Sequence, residues 1–223
     1  MKADWATIGS LATAGGTLIL AVSTFASVRS ANRSARVAQQ ALMVGLRPLL
    51  VPSRLQDDPQ KVFFIDGKYL RVDGGSGTVD TNGDGVVYLA MSVRNAGTGV
   101  AVIRGWHVVP GQETADDRPK LSDFRRHTRD MYVPANDVSF WQAAYREQED
   151  EVRKQVLAAI NDGQPLTVDV LYGDYEGGQR AISRFLMQTR GDDGRWLVTV
   201  ARHWNLDRPD PRPDPRQWND EPG

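Results

Sequence analysis

Between Asp4 and Arg29 the chain runs for 24 residues, Trp5 to Val28, without one charged side chain: WATIGSLATAGGTLILAVSTFASV. Wound as a helix at about 1.5 Å per residue, this run would extend roughly 36 Å, against the roughly 30 Å of a bilayer's hydrocarbon core. Trp5 stands where an interfacial aromatic anchor belongs. Thr24 and Ala26 are small enough for the −3 and −1 positions of a signal-peptide cleavage site, so a leader is the rival reading. Against cleavage, Lys2 is offset by Asp4 and the run is long for a secretory apolar core. Residues 5–28 are therefore expected to form a retained transmembrane helix. Arg29, Arg33 and Arg36 follow it with no acid among them, which by the positive-inside rule places the rest of the chain in the cytoplasm. The expected location is thus the cell membrane, crossed once.

The run is poor in large apolar residues and rich in small ones. Gly9/Thr13, Ala12/Gly16 and Ser23/Ser27 are each four apart and share a helical face. Gly9, Ala12 and Gly16 are accordingly the expected packing positions, where small residues let a second helix approach closely. The partners this implies are bilayer lipid together with another membrane protein or a second copy of the chain. Beyond the run, RSANRSARVAQQALMVGL has no proline and gathers Val28, Ala31, Ala35, Ala38, Ala41 and Leu42 near one face. Residues 29–46 read as an amphipathic helical stalk, stopped by Gly45 and Pro48.

From Arg47 the pattern changes to short extended segments broken by turns. KVFFIDGKYLRVDGG is a hairpin turning at Asp66-Gly67. VVYLAMSVRNAGTGVAVIRGWHVVPG gives two strands around Asn95–Gly99, and residues 165–204 give three more around Gly173–Gly178 and Gly191–Gly194. About eight short strands predict a mainly β fold, an antiparallel immunoglobulin-like sandwich over residues 47–207. One inserted helix is expected near 145–161, with Tyr145, Val152, Val156, Leu157 and Ile160 on its apolar face. LDRPDPRPDPRQWNDEPG closes the sequence, and its prolines predict a disordered tail over 208–223.

The chemical candidates are few. The net charge is −1, so no global basic field exists to hold nucleic acid, and none is expected as a partner. The absence of cysteine removes thiolate chemistry. Asp80, Asn82 and Asp84, followed by Gly85, resemble the opening of a calcium loop, but the twelfth position is Met91 where a bidentate glutamate belongs. The segment reads better as a hairpin loop, so no metal and no cofactor is expected. His107, His127 and His203 are far apart, and no serine occupies a nucleophile elbow. Nothing assembles into a catalytic constellation, and no catalytic residue is assigned. Trp106, Trp196 and Trp204 fall on strand-like segments and are expected in the core, whereas Trp141 and Trp218 are not placed.

The order of parts, an N-terminal apolar helix leading into RSARVAQQAL and RPLLVPS, then RNAGTGVAV, then VLYGDYEGG and RWLVTVARHW, resembles a loose group of uncharacterised single-pass membrane proteins of GC-rich bacteria. The resemblance implies an anchored sandwich domain and no activity. The functional expectation is a membrane-anchored, non-enzymatic protein-interaction module. A ligand-binding or sensory sandwich and an enzyme of unrecognised type are the alternatives.

Overall fold

The computed structural model describes residues 5–81, 85–114, 116–189 and 194–210, apart from the side chains of residues 5–8, 10–12, 40, 43 and 44. The chain divides into two units at Gly45/Leu46. The first is a single helix, α1 (Trp5–Gly45), so the expected anchor and stalk are one continuous element. Every described side chain on it is exposed, and Leu18, Ile19, Leu20, Val22 and Phe25 each show 61–70% of their surface. Its hydroxyls are satisfied internally: Thr13 and Thr17 donate to the carbonyls of Gly9 and Thr13 (2.9 Å each), and Ser23 donates to that of Leu20 (3.0 Å). Among the described residues no helix is long and apolar enough to cross a membrane. From Thr13 onward Gly15, Gly16, Thr17, Ser23, Thr24 and Ser27 dilute the apolar run and Arg29 ends it. The transmembrane expectation over 5–28 therefore finds no support in these residues, and the side chains it draws on at 5–8 and 10–12 lie outside them.

Among its described residues the second unit carries eleven strands, one α-helix and a short 3-10 helix (Leu121–Asp123): β1 (Leu50–Pro52), β2 (Gln60–Phe63), β3 (Tyr69–Val72), β4 (Ser76–Asp80), β5 (Val87–Asn95), β6 (Ala101–Pro110), β7 (Arg125–Val133), β8 (Val138–Tyr145), α2 (Glu151–Asn161), β9 (Leu166–Gly173), β10 (Arg180–Thr189) and β11 (Trp196–Asn205). β2 and β3 form the expected hairpin, with Phe63 opposite Tyr69 and Gly67 at φ 82°. The other nine strands form one antiparallel sheet. From one edge to the other it runs β8, β5, then β1 and β4 side by side on the far edge of β5, then β11, β10, β9, β6 and β7. The expectation of a mainly β, antiparallel domain holds. The two packed sheets of an immunoglobulin-like sandwich are replaced by one sheet curled into a half-barrel.

Alternation along the strands fills the concave side. Leu166, Val168, Val170 and Tyr172 point inward from β9 and are fully buried with Phe185 and Met187 of β10 and Leu89 and Met91 of β5. In β6 neither alternating set goes inward throughout, because the register shifts between Ile103 and Gly105. That bulge turns Ala101 and Ile103, then Trp106 and Val108, to the same core. β5 is buried on both faces, which accounts for its nearly unbroken apolar sequence: on its convex side Tyr88 and Ala90 meet Val62, Phe64, Leu70 and Val72 of the β2–β3 hairpin.

α2 packs on β6 and β9 and adds Val156 and Ala159 to the core. It begins later than expected, since Asp150 caps it by accepting from the amides of Val152 (3.0 Å) and Arg153 (3.4 Å). Tyr145, expected on its apolar face, is instead the last residue of β8 and is buried. β5 and β6 flank Asn95–Gly99 but are not neighbours in the sheet. The buried Asn95 fixes this crossing: its amide donates to Gly99 O (2.7 Å) and Val133 O (3.1 Å) and accepts from the amides of Leu49 (3.0 Å) and Gly97 (3.0 Å). A Cβ on Gly97 or Gly99 would run into the Arg47 or Leu46 carbonyl, so close approach of backbone sets both glycines. The tail expected over 208–223 lies outside the described residues from 211 on.

Candidate functional site

The two terminal strands of the sheet are consecutive in the chain, and they do not pair. Among the described residues β7 pairs only with β6 and β8 only with β5. They meet at the turn Pro134–Asp137, where Asn136 has φ 61° and the Asp137 amide donates to Pro134 O (3.3 Å). From there they part around a cleft of about 600 Å³. A bulge explains why β7 does not follow β8. Ile103 faces Met131 and Gly105 faces Arg126, so four residues of β7, His127–Asp130, stand against Arg104 alone. Such an insertion ends regular pairing and re-aims side chains, and His127, Thr128 and Arg129 line the cleft.

The opposite wall is Gln142–Ala144 of β8, and Phe63, Phe64 and Ile65 from the hairpin form a third side. Arg129 Nη2 donates to Phe63 O (3.2 Å); the Gln142 amide, oriented by the same neighbours, donates to Phe63 O (3.1 Å) and accepts from Arg129 (3.2 Å). At the deep end Arg125 lies over the rings of Tyr145 (4.8 Å) and Trp106 (5.6 Å) and pairs with Asp150 (2.6 Å). Trp106 meets Tyr145 and Trp141 edge-on at 5.1 and 6.3 Å. Arg146 pairs with Asp66 (3.0 Å), which also accepts from the Tyr88 hydroxyl (2.8 Å).

The lining carries Arg125, Arg126, Arg129 and Arg146 against Glu147 and Asp150. Two of the four arginines already have a carboxylate; Arg126, which is exposed, and Arg129 have none among the described residues. Burial, reinforced by the Arg129 charge, lowers His127 to about 4, so its imidazole is neutral at pH 7. Its Nε2, like Trp141 Nε1 and the Tyr145 hydroxyl, is buried without a hydrogen-bond partner among the described residues. Burial raises the Tyr145 phenol well above its ordinary range. Phe63 and Ile65 expose 57% and 84% of their surface beside these groups. The arrangement offers positive charge, apolar walls and an open strand edge, which suits binding.

The residues singled out in the sequence lie elsewhere. Asp80 ends β4 and pairs with Lys68 (2.8 Å), while Asn82 and Asp84 lie outside the described residues. Among the described residues no group of three or more His, Asp or Glu is placed to hold a metal ion. Gly9 and Gly16 lie on α1 with open space around them, and the side chain of Ala12 lies outside the described residues. Arg29, Arg33 and Arg36 are exposed on the same helix. Trp106, Trp196 and Trp204 are buried as expected, and Trp141 joins them at 0% exposure, whereas Trp218 lies outside the described residues.

Two polar clusters escaped the sequence reading. Ser183 Oγ lies 2.7 Å from His203 Nδ1, across β10 and β11. Ser183 is fully buried and its hydroxyl also meets Leu50 O (3.1 Å) and the Tyr172 hydroxyl (3.0 Å), so it pins β1 to the core and is closed to a substrate. On the convex face Asp169 and Arg184 form a fully buried two-pronged pair (2.8 and 2.9 Å), with Arg184 also donating to Thr114 O (2.6 Å) and lying 5.0 Å from the Trp204 ring. Strand register brings these partners together, and no sequence spacing announces it.

No family model matches the chain, and no curated protein matches it. Among solved structures it is similar to a protein from Archaeoglobus fulgidus, at 14% identity and a TM-score of 0.24 over 58% of this chain and 91% of that one, a likeness too remote to inform fold or function.

Proposed function

We propose that the chain is a membrane-anchored, non-enzymatic protein-interaction module whose docking face is the cleft between β7 and β8. The open seam of the half-barrel carries this reading: two strand edges without partners among the described residues flank exposed Phe63 and Ile65 and two arginines to which no described carboxylate is paired. The anchor rests on the uncharged run Trp5–Val28, which falls wholly within α1 and shows its apolar side chains on every described face. Hydroxyls bonded back to the helix's own carbonyls suit a non-aqueous environment, where no water is present to meet them. Arg29, Arg33 and Arg36 would then hold the β domain at the cytoplasmic face, and Gly9, Ala12 and Gly16 would receive a second helix.

The test is site-specific photo-crosslinking in cells, with the reactive residue placed in the full chain at Ile65 or Gln142 and, as a control, at the exposed Asp162. The expected result is protein adducts in the membrane fraction from the two cleft positions and none from Asp162. Equal labelling from all three, or none from the cleft, overturns the reading.

A further inference from the structure

We infer that the cleft takes an extended, acidic segment of another protein, which adds as a strand to the free edge of β8. The inference rests on the docking reading above and names the occupant. β8 pairs with β5 along its whole length, Val138 to Tyr145, and with nothing on its other side among the described residues. Its sequence, VSFWQAAY, has no charge, no proline and no glycine. An uncharged regular edge is what proteins elsewhere suppress, because its free N–H and C=O groups template another strand. β7 is treated in the opposite way. It is bulged at His127–Asp130 and charged at Arg125, Arg126, Arg129 and Asp130, so it does not zip onto β8 and close the seam. One wall thus offers a ladder, and the other offers charge.

That charge selects the occupant. Asp150 and Asp66 already neutralise Arg125 and Arg146. Arg126 and Arg129 remain against one further lining carboxylate, Glu147, which leaves an excess of positive charge, and the neutral His127 between them adds no cation of its own. In a strand bound along β8, successive side chains point to opposite faces and repeat every two residues, about 6.6 Å apart. Carboxylates at the phase facing the hairpin would meet Arg126 and Arg129, beside Phe63 and Ile65, and apolar side chains at the other phase would turn toward Arg125 and the Trp106 ring it covers. Main-chain hydrogen bonds would supply affinity and the alternating side chains specificity.

The probe is a dye-labelled eight-residue peptide alternating valine and glutamate, titrated into the detergent-solubilised full chain. Its counterpart alternates valine and lysine. Two further versions of the glutamate peptide carry N-methyl groups at odd or at even positions, which removes ladder donors from one edge and keeps the charge. The glutamate peptide is expected to bind at least tenfold more tightly than the lysine peptide. One N-methylated version should lose binding while the other keeps it, since only one edge of the added strand faces β8. Arg126→Glu combined with Arg129→Glu should reverse the preference, at a lowered melting temperature because Arg129 also holds Phe63 O; Arg126→Gln alone, which leaves the fold's contacts in place, should weaken the glutamate peptide several-fold. Equal binding of the two charge types overturns the inference, and so does equal binding of both N-methylated versions, which would mark a simple anion site. If no peptide binds while the cleft positions still crosslink in cells, this occupant is wrong and the docking reading stands. If both fail, the docking reading falls too.

Discussion

Asp169 and Arg184 face each other across β9 and β10 with 0% and 3% of their surface exposed. A buried pair of this kind adds little over an apolar pair of the same shape, because desolvation offsets most of the attraction. Removing one partner is different, since the other is left charged in a poor solvent. Asp169→Asn keeps the side-chain shape and removes the charge opposite Arg184, whose remaining acceptor is Thr114 O. The expected cost is about 3–5 kcal/mol, read from the urea midpoint of the full chain. The double variant Asp169→Leu with Arg184→Met should recover most of it. A single substitution that leaves the midpoint in place would remove this pair from the determinants of stability.

At the level of elements, α2 shows how one side chain joins a local signal to the cleft. Asp150 caps the helix and holds Arg125 over the aromatic floor. Burial works to raise its pKa, but the hydrogen bond from Arg125 and the amides of Arg153 and Val152 outweigh it and hold the carboxyl below its ordinary value of 3.8. Folding therefore favours the ionised form. Its contribution is fully present above the unfolded pKa and is lost as pH falls through the folded one. Asp150→Ala is expected to cost about 1–2 kcal/mol near pH 7. In melts at pH 7 and pH 3 the gap to the wild type should narrow on the acid side; a gap that stays constant would show that charge plays no part in the cap.

The elements legible in the sequence were those whose evidence is local. Asp66-Gly67 marks the β2–β3 turn, and the VLYGDYEGG stretch marks the β9–β10 hairpin, where Gly173 faces Arg180. What local pattern does not encode is the choice of partner strand. β5 and β6 follow one another and lie far apart in the sheet, and that choice turns two expected sheets into one curled sheet. Residues 125–145 yielded no strands at all, because RRHTRD has no alternation and four of its residues fall in or beside the bulge. The signal that would have found β8 is the inward set Trp141, Ala143 and Tyr145 after the Pro134–Asp137 turn.

For the β domain as a whole one property matters most: among the described residues the half-barrel is open between its two end strands, β7 and β8. An extended occupant needs an edge that water can reach in its absence, and a curled sheet supplies that edge only at its two ends. Interior strands such as β9 and β10 bond on both sides, whereas β8 bonds only toward β5. Residue-resolved amide hydrogen exchange on the full chain tests this most directly. The account predicts alternation along Val138–Tyr145, with amides that point to β5 exchanging slowly and those that point to the cleft exchanging fast, beside uniform protection in β9 and β10. Uniform slow exchange along β8 would show the seam closed, and the docking edge on which the functional reading rests would not exist.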